Sequence, residues 1–492
     1  MRRRAALLLL LAACTRDQAA SDATRPIEML VPTDAETLDP RYATDAVALR
    51  TTRLLHAGLV RLDPSTLEPR PYLARSWEWD EGRLRVRLRE ARFHSGAPFG
   101  ARDVAATIAA FQSPAVGSRH ARVVEPIDRV TIEDERTVLV SLKHPHATLL
   151  TDLEIPILRA DEAAGPPRGD GSLDGLGPFM VARREEGAIV LAPAKDGALP
   201  APAHGVTIRT VHDENARALR MHAGRADLVV NGFSPTLLPS FTKTRGIDVV
   251  ARPGANLTYL LVNHESGLGA NEKVRRALAA GIDRARIAAT LFAGHATAAS
   301  TLLPPTHWAH TPAAAIAFDR DGVRAELGAA GVPLPLRLTL LTSTDRLRNT
   351  IARQLAQDFA PLGIELEVVP LELGTMLARL NAGDFELAML QMPEVTEPNV
   401  LRFFLHSSNV PPAGANRGRV RDPAIDRLLD QAAAKNDPTE RRALYADLER
   451  TIAARASLIP LWHEDQIAVT SARAAGFQPS AEGRWLDLAR LP

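Results

Sequence analysis

The chain has 492 residues and a single cysteine, Cys14. No internal disulfide can form, so the fold must be held by its own core. Aromatic residues make up only 4% of the sequence, leaving few stacking platforms of the kind a sugar ligand needs. Neither charge sign is in excess: 59 basic and 58 acidic residues give a formal charge of +1. The two signs are interspersed and no long basic tract is available to neutralise a phosphate backbone, which argues against nucleic acid as a partner. Beyond the first residues no run is apolar enough to cross a bilayer. With 46% hydrophobic and 24% charged residues, the composition is that of a globular protein large enough for two to four domains.

The N-terminus carries the most specific local signal. Arg2, Arg3 and Arg4 precede the apolar run Ala5 to Ala13, which is long enough for a signal-peptide core and far short of the ~20 residues of a membrane span. Leu11-Ala12-Ala13-Cys14 resembles the bacterial lipoprotein box, in which the cysteine thiol is lipidated and the peptide is cut just before it. The expectation is a signal peptide over 1–13, a lipid anchor on Cys14 and a flexible polar tether over 14–25.

Hydrophobic periodicity gives a mixed α and β chain. Ile27 to Val31 reads as a strand, and Val47 to Leu62 as a helix that Gly58 ends. Leu84 to Leu88 reads as a half-buried strand, and Val130 to Leu142 as two strands around Asp134-Glu135-Arg136. Glycine and proline between Gly165 and Gly177 mark a boundary loop. In the second half the order is strand Leu336 to Leu341, helix Asp345 to Phe359, strand Ile364 to Val369, short helix Thr375 to Leu380 and strand Phe385 to Leu390. This βαβαβ order predicts parallel strands with right-handed crossovers and a ligand beyond their carboxyl ends. The tips to watch are Thr342 to Arg346, Pro370 to Glu372 and Gln391 to Glu397. Helices over Asn271 to Ala280, Asp283 to Ala293 and Thr439 to Ser457 each start on a residue suited to N-capping.

Motifs for catalysis are scarce. His463-Glu464-Asp465-Gln466-Ile467 begins like H-E-x-x-H but has Ile467 in place of the second ligand, and His144-Pro145-His146 reads as a surface loop, so no metal site is expected. Gly169-Asp170-Gly171-Ser172-Leu173 is not a nucleophile elbow, and a lipidated Cys14 leaves no free thiol.

Several segments carry a family resemblance over nearly the whole chain beyond Cys14. Glu36-Thr37-Leu38-Asp39-Pro40, Leu55 to Leu62 and above all Pro71 to Val104, PYLARSWEWDEGRLRVRLREARFHSGAPFGARDV, are similar to the signatures of extracellular solute-binding protein family 5. This family supplies the oligopeptide- and dipeptide-binding components of ATP-driven importers. Leu176-Gly177-Pro178-Phe179, Ala223 to Asp227, Asn263, Val274 to Leu278, Ile282-Asp283-Arg284, Asn416-Arg417 and Asp426 to Leu429 follow in the family's order.

The resemblance implies a mixed α/β, two-lobed periplasmic-binding-protein-like fold of type II that closes on a ligand. The first lobe is expected from 26–58, 175–262 and 465–492, an extra domain from 59–174 and the second lobe from 263–464. The chain would then cross between lobes near Asn263 to Asn271 and near Trp462 to Gln466. Trp77, Trp79 and Phe93 are expected to pack a core.

In peptide binders of this family a strand tip of the second lobe carries an aspartate that pairs with the ligand's α-amino group. The resemblance puts Glu394 at that position, in Gln391-Met392-Pro393-Glu394-Val395-Thr396-Glu397-Pro398, with Gln391 where those binders have Trp. Glu394 could hold an ammonium group through charge-assisted hydrogen bonds; its alternative is a solvated loop-tip charge. Arg346 is the candidate for a ligand carboxylate, and Gln391, Asn231 and Tyr42 complete the candidate contacts. The expected protein is a monomeric, extracytoplasmic, lipid-anchored substrate-binding component that delivers a peptide or peptide-like solute to an ABC permease. No cofactor and no catalysis are expected. The alternatives are a non-peptide ligand (an opine, a metal chelate, an oligosaccharide or a signal molecule) and, from another class, a secreted lipoprotein hydrolase.

Overall fold

The computed structural model describes residues 25–195, 197–312 and 316–492, so Cys14 and nearly all of the tether lie outside the described residues. One long strand, Ile459–Ser471, organises the molecule because its two halves belong to two different sheet regions. Its C-terminal half runs between Leu228–Val230 and Ile247–Pro253, and the sheet continues from Leu228–Val230 through Ile27–Val31, Val206–Thr210, Ala188–Pro193 and Phe179–Glu185. Its N-terminal half pairs with Leu257–Val262 and with the short Ala296–Ala298. Beyond Leu257–Val262 come Leu387–Met392, Leu336–Ser343 and Ile364–Leu371. These two regions are the sheets of the first and second lobes.

The second lobe has the expected crossover form. Leu336–Ser343 runs parallel to both Ile364–Leu371 and Leu387–Met392, with helices Arg346–Phe359 and Leu373–Ala382 between them in sequence. Local chemistry fixes where the helices start: the side chains of Asp345, Asn271 and Asp283 accept backbone N–H groups that a helix N-terminus would otherwise leave unbonded. Helix Pro438–Arg455 is capped two residues earlier than expected, because Asp437 and not Thr439 supplies the cap and Pro438 fits the first helical position.

The extra domain has its own core. A four-stranded antiparallel sheet of Ala74–Asp80, Arg83–Leu88, Thr137–Leu142 and Ile127–Asp134 packs with helix Ala101–Gln112 around buried Phe93, Phe99, Phe111 and Val104. Trp77 and Trp79 pack on this cluster as partly buried side chains. The two glycine-containing motifs meet at its junction with the first lobe. His94 donates its N–H to Gly175 O at 2.9 Å and its ring meets Gly177 O at 2.9 Å, while Gly177 N–H donates to Leu55 O at 2.9 Å. A Cβ on Gly175 would lie 1.9 Å from Leu55 O, so only glycine lets this loop touch the end of helix Ala46–Leu55.

Two expectations are corrected. The helix read over Val47 to Leu62 stops at Leu55, and Val60–Leu62 is a strand. Gly58 is required by the backbone of Glu154, which a Cβ would approach to 2.6 Å, and not by a helix cap. The first lobe crossing lies at Gly254 to Asn256 and not at Asn263 to Asn271, since Leu257–Val262 pairs along its whole length with Leu387–Met392 of the second lobe. That strand is buried throughout, so it carries no alternation to say which sheet it joins.

Candidate functional site

The two crossings are tied to one another. Asn256 donates Nδ2–H to Glu464 O at 2.7 Å and accepts the Glu464 N–H on Oδ1 at 2.8 Å. A Cβ on Gly254 would lie 2.2 Å from Glu464 O, so glycine permits the close approach. On the first-lobe side, Asn231 sits at φ +51°, donates its backbone N–H to Ile467 O, accepts the Ile467 N–H on its side-chain Oδ1 and donates to the Gln466 side chain. On the second-lobe side, Arg348 of helix Arg346–Phe359 pairs with Glu464 at 2.6 Å and donates to Thr258 Oγ1 at 3.1 Å. These bonds tie together the two short peptides that connect the lobes, the place where a hinge would act.

Beside the hinge, a partly open cavity of about 160 Å³ is bordered by the first lobe, the extra domain and the C-terminal tail. Apolar cavities of roughly 150 Å³ hold a benzene-sized molecule; this one is also mostly apolar in surface, with charged groups set among the apolar side chains. Arg53 and His56 come from the end of helix Ala46–Leu55, Arg61, Tyr72 and Glu154 from the extra domain, and Glu482, Arg484 and Asp487 from the tail. Glu154 is shared by Arg53, at 3.8 Å, and by Arg484. Several buried polar atoms have no hydrogen-bond partner among the described residues: both ring nitrogens of His56, the Tyr72 hydroxyl, Glu482 Oε2 and Arg484 Nε. Burial, reinforced by the positive charges of His94, Arg168 and Arg41, pushes His56 down to about 3, so its ring is neutral.

The second lobe reaches this region through the tip that follows Leu387–Met392. Val395 N–H donates to Ala255 O at 2.6 Å, and Ala255 N–H to Ala481 O at 2.6 Å, so the tip, the hinge and the tail are neighbours. The Glu394 charge acts on Arg50 and on Glu482. Burial first, and Glu394 in the same direction, push Glu482 up to about 7. Burial lowers Arg50, and Glu394 opposes that shift. Arg50 lies over Trp485 at 5.8 Å, and its Nε is buried without a partner among the described residues. Groups of both signs therefore converge where the lobes meet, with hydrogen-bonding capacity unused. Such an arrangement can hold a solute carrying both an ammonium and a carboxylate.

The family model of the bacterial extracellular solute-binding proteins, family 5 (middle part), matches residues 68–411, more than half of the chain. The chain belongs to family 5. It is a solute-binding protein of the kind that serves ABC importers. The glutathione-binding protein GsiB of Escherichia coli K12 is 25% identical over 476 residues, covering 92% of each chain. Among solved structures, CtaP of Listeria monocytogenes, an ABC transporter substrate-binding protein, superposes with a TM-score of 0.84 at 20% identity, covering 95% of this chain and 99% of its own. DppA of Helicobacter pylori in complex with the peptide STSA superposes with a TM-score of 0.75 at 22% identity, covering 96% and 99%. These likenesses show the two-lobed fold.

Within this family 5 chain the five expected ligand contacts scatter. Glu394 is half-buried and its charge is felt by Arg50 and Glu482, with neither of which it forms an ion pair. Gln391 is half-buried and stands opposite Thr258 in the strand pairing, beside the Arg348 and Glu464 pair. Arg346 is exposed; the guanidinium of this helix that turns inward is Arg348, two residues on. Asn231 is a hinge residue, and Tyr42 binds the extra domain through its hydroxyl, which donates to Val116 O at 2.7 Å. None of the five lines the 160 Å³ cavity. Arg50, Arg53, Glu482 and Arg484 were not anticipated, because the first two and the tail lie more than 400 residues apart in sequence and no spacing joins them. Of the near-miss histidines, His146 meets Asp152 Oδ2 and Thr148 Oγ1, both at 2.7 Å, and the described residues hold no group of three metal-ligating side chains.

Proposed function

We propose that this family 5 protein is a lipid-anchored, extracytoplasmic substrate-binding component that captures a peptide-class zwitterion between its lobes and hands it to an ABC permease without altering it. The observation that carries the ligand class is that the Glu394 tip is tied through Ala255 to the tail beside Glu482, near which buried charged atoms of both signs, Arg50 Nε and Glu482 Oε2 among them, retain unused hydrogen-bonding capacity. Glu394, with Glu482, would receive the ligand ammonium, and Arg50 its carboxylate. The glutathione-binding relative supports a short peptide-like solute with free charged ends. The lipoprotein-like run ending at Cys14 supports the anchor.

The test is a thermal-shift screen of di- to pentapeptides with matched N-acetylated forms. A ligand at 100 times its dissociation constant stabilises the folded protein by ~2.7 kcal/mol, a shift of a few degrees for a chain of this size. Free peptides should shift the melt and acetylated ones should not. Glu394→Gln should weaken the best peptide by roughly two to three orders of magnitude, since a buried cation loses its partner at a cost of ~3 to 5 kcal/mol. Equal binding of acetylated peptides, or an unaltered affinity in Glu394→Gln, would remove the proposed ammonium contact. Turnover of the ligand by the purified protein would overturn the binding role.

A further inference from the structure

The cavity beside the hinge holds more positive than negative charge, and the excess is specific. Five arginines line it, Arg53, Arg61, Arg252, Arg484 and Arg490, against three carboxylates, Glu154, Glu482 and Asp487. Two of the carboxylates are committed, while Glu482 keeps Oε2 without a partner among the described residues. Glu154 serves Arg53 and Arg484, while Asp487 faces Arg490 at 3.6 Å and accepts the Gln478 N–H at 2.7 Å. Arg61 and Arg252 have no carboxylate within ion-pair distance among the described residues. Both are only partly exposed, and Arg61 lies over the Tyr72 ring at 5.6 Å. Around them sit the unpartnered donors: the Tyr72 hydroxyl, 4% exposed as a residue, the neutral His56 ring, 2% exposed, and Arg484 Nε. Unpaired guanidinium groups beside buried hydroxyl and imidazole groups form a receptor for a carboxylate.

We propose that the solute is acidic: a peptide-class molecule carrying, besides its ammonium and its terminal carboxylate, a second carboxylate of aspartyl or glutamyl type that enters this cavity and is met by Arg61 and Arg252. The inference rests on the peptide reading above and deepens it. The cavity volume of about 160 Å³ suits one side chain and not a whole peptide. Glu482 joins the two ends of the site, lining the cavity while feeling the Glu394 charge. A lysyl side chain would instead bring a cation among guanidinium groups, so the same wall that attracts an acid excludes a base.

The experiment is calorimetric titration of the detergent-solubilised full chain with the isosteric dipeptides Ala-Glu and Ala-Gln, with Ala-Lys, and with glutarate as a dicarboxylate that is not a peptide. Ala-Glu should bind at least tenfold tighter than Ala-Gln, and Ala-Lys more weakly than either. Arg61→Gln and Arg252→Gln should each reduce the Ala-Glu to Ala-Gln preference at least fivefold, in proteins whose unliganded melting temperature shows that they fold. Equal affinity for Ala-Glu and Ala-Gln would overturn the acidic solute while leaving the peptide reading intact. Binding of glutarate without any dipeptide would support the acidic cavity and overturn the peptide reading. A preference unaltered in both arginine variants would overturn the assignment of the cavity.

Discussion

Glu449 offers a sharp test of how burial governs this fold. Its carboxylate is 3% exposed, accepts the Leu302 N–H on both oxygens at 3.0 Å and the Leu303 N–H at 3.0 Å, and has no cationic partner among the described residues. Burial prevails over these bonds and pushes it up to about 7 from an ordinary 4.5. Because the folded value is the higher one, the protonated form favours folding. The stability it gives is fully present below about pH 4.5 and is lost as pH rises through 7. At about 1.4 kcal/mol per pH unit, ionising it in place costs on the order of 3 kcal/mol, of which about 2 to 3 kcal/mol is lost between pH 5 and pH 8. Glu449→Gln keeps an acceptor for Leu302 and Leu303 but leaves an amide N–H₂ buried, a cost of ~1 to 3 kcal/mol at every pH. Urea unfolding followed by circular dichroism at pH 5 and pH 8 should therefore give a variant less stable than wild type at pH 5, with a pH dependence smaller by about 2 to 3 kcal/mol. Glu482, also near 7, adds a slope of its own to both proteins and cancels in the comparison. Identical pH dependence in variant and wild type would refute the claim that Glu449 is the titrating group.

Other outcomes follow from single contacts. Gly175→Ala forces a Cβ to within 1.9 Å of Leu55 O and should lower stability by ~1 to 3 kcal/mol or more, seen as a lower melting temperature; an unaltered melt would mean the loop can move away freely. Glu397 pairs with Arg441 in the second lobe and accepts from Thr151 of the extra domain at 3.1 Å, while Arg441 donates to Ala147 O at 3.3 Å. Glu397→Gln should weaken this contact between the extra domain and the second lobe, and so enlarge the radius of gyration in solution scattering and reduce ligand affinity. Unchanged scattering and affinity would assign the pair a purely local role. Cys14→Ala should move the protein from membrane to soluble fractions without lowering its melting temperature, whereas a high-salt wash should leave wild type in the membrane, since each buried methylene of an anchor adds ~0.8 kcal/mol.

Local and periodic features were legible in the amino-acid sequence. The strand Ile27–Val31 and the βαβαβ order from Leu336 to Met392 follow from hydrophobic spacing, and the caps at Asn271, Asp283 and Asp345 from side chains that bond to their own neighbouring backbone. The motifs that carry the family resemblance were legible as patterns, while their cause is tertiary: His94 and the glycines at 175 and 177 are needed because backbones distant in sequence touch there.

The tertiary structure decided what depends on pairing and direction. Leu257–Val262 is buried on both faces, so only its partner strand shows that the hinge precedes it. Arg346 and Arg348 share a helix turn and a chemistry, and only the way the helix lies against Thr258 and Glu464 makes the second one face inward. The site itself joins Arg50 and Arg53, Glu394, and the tail from Glu482 to Asp487, segments whose charges look solvent-bound when read one at a time. Their role in the proposed site depends on burial, because removing water strengthens the interactions that an unpaired charge can make.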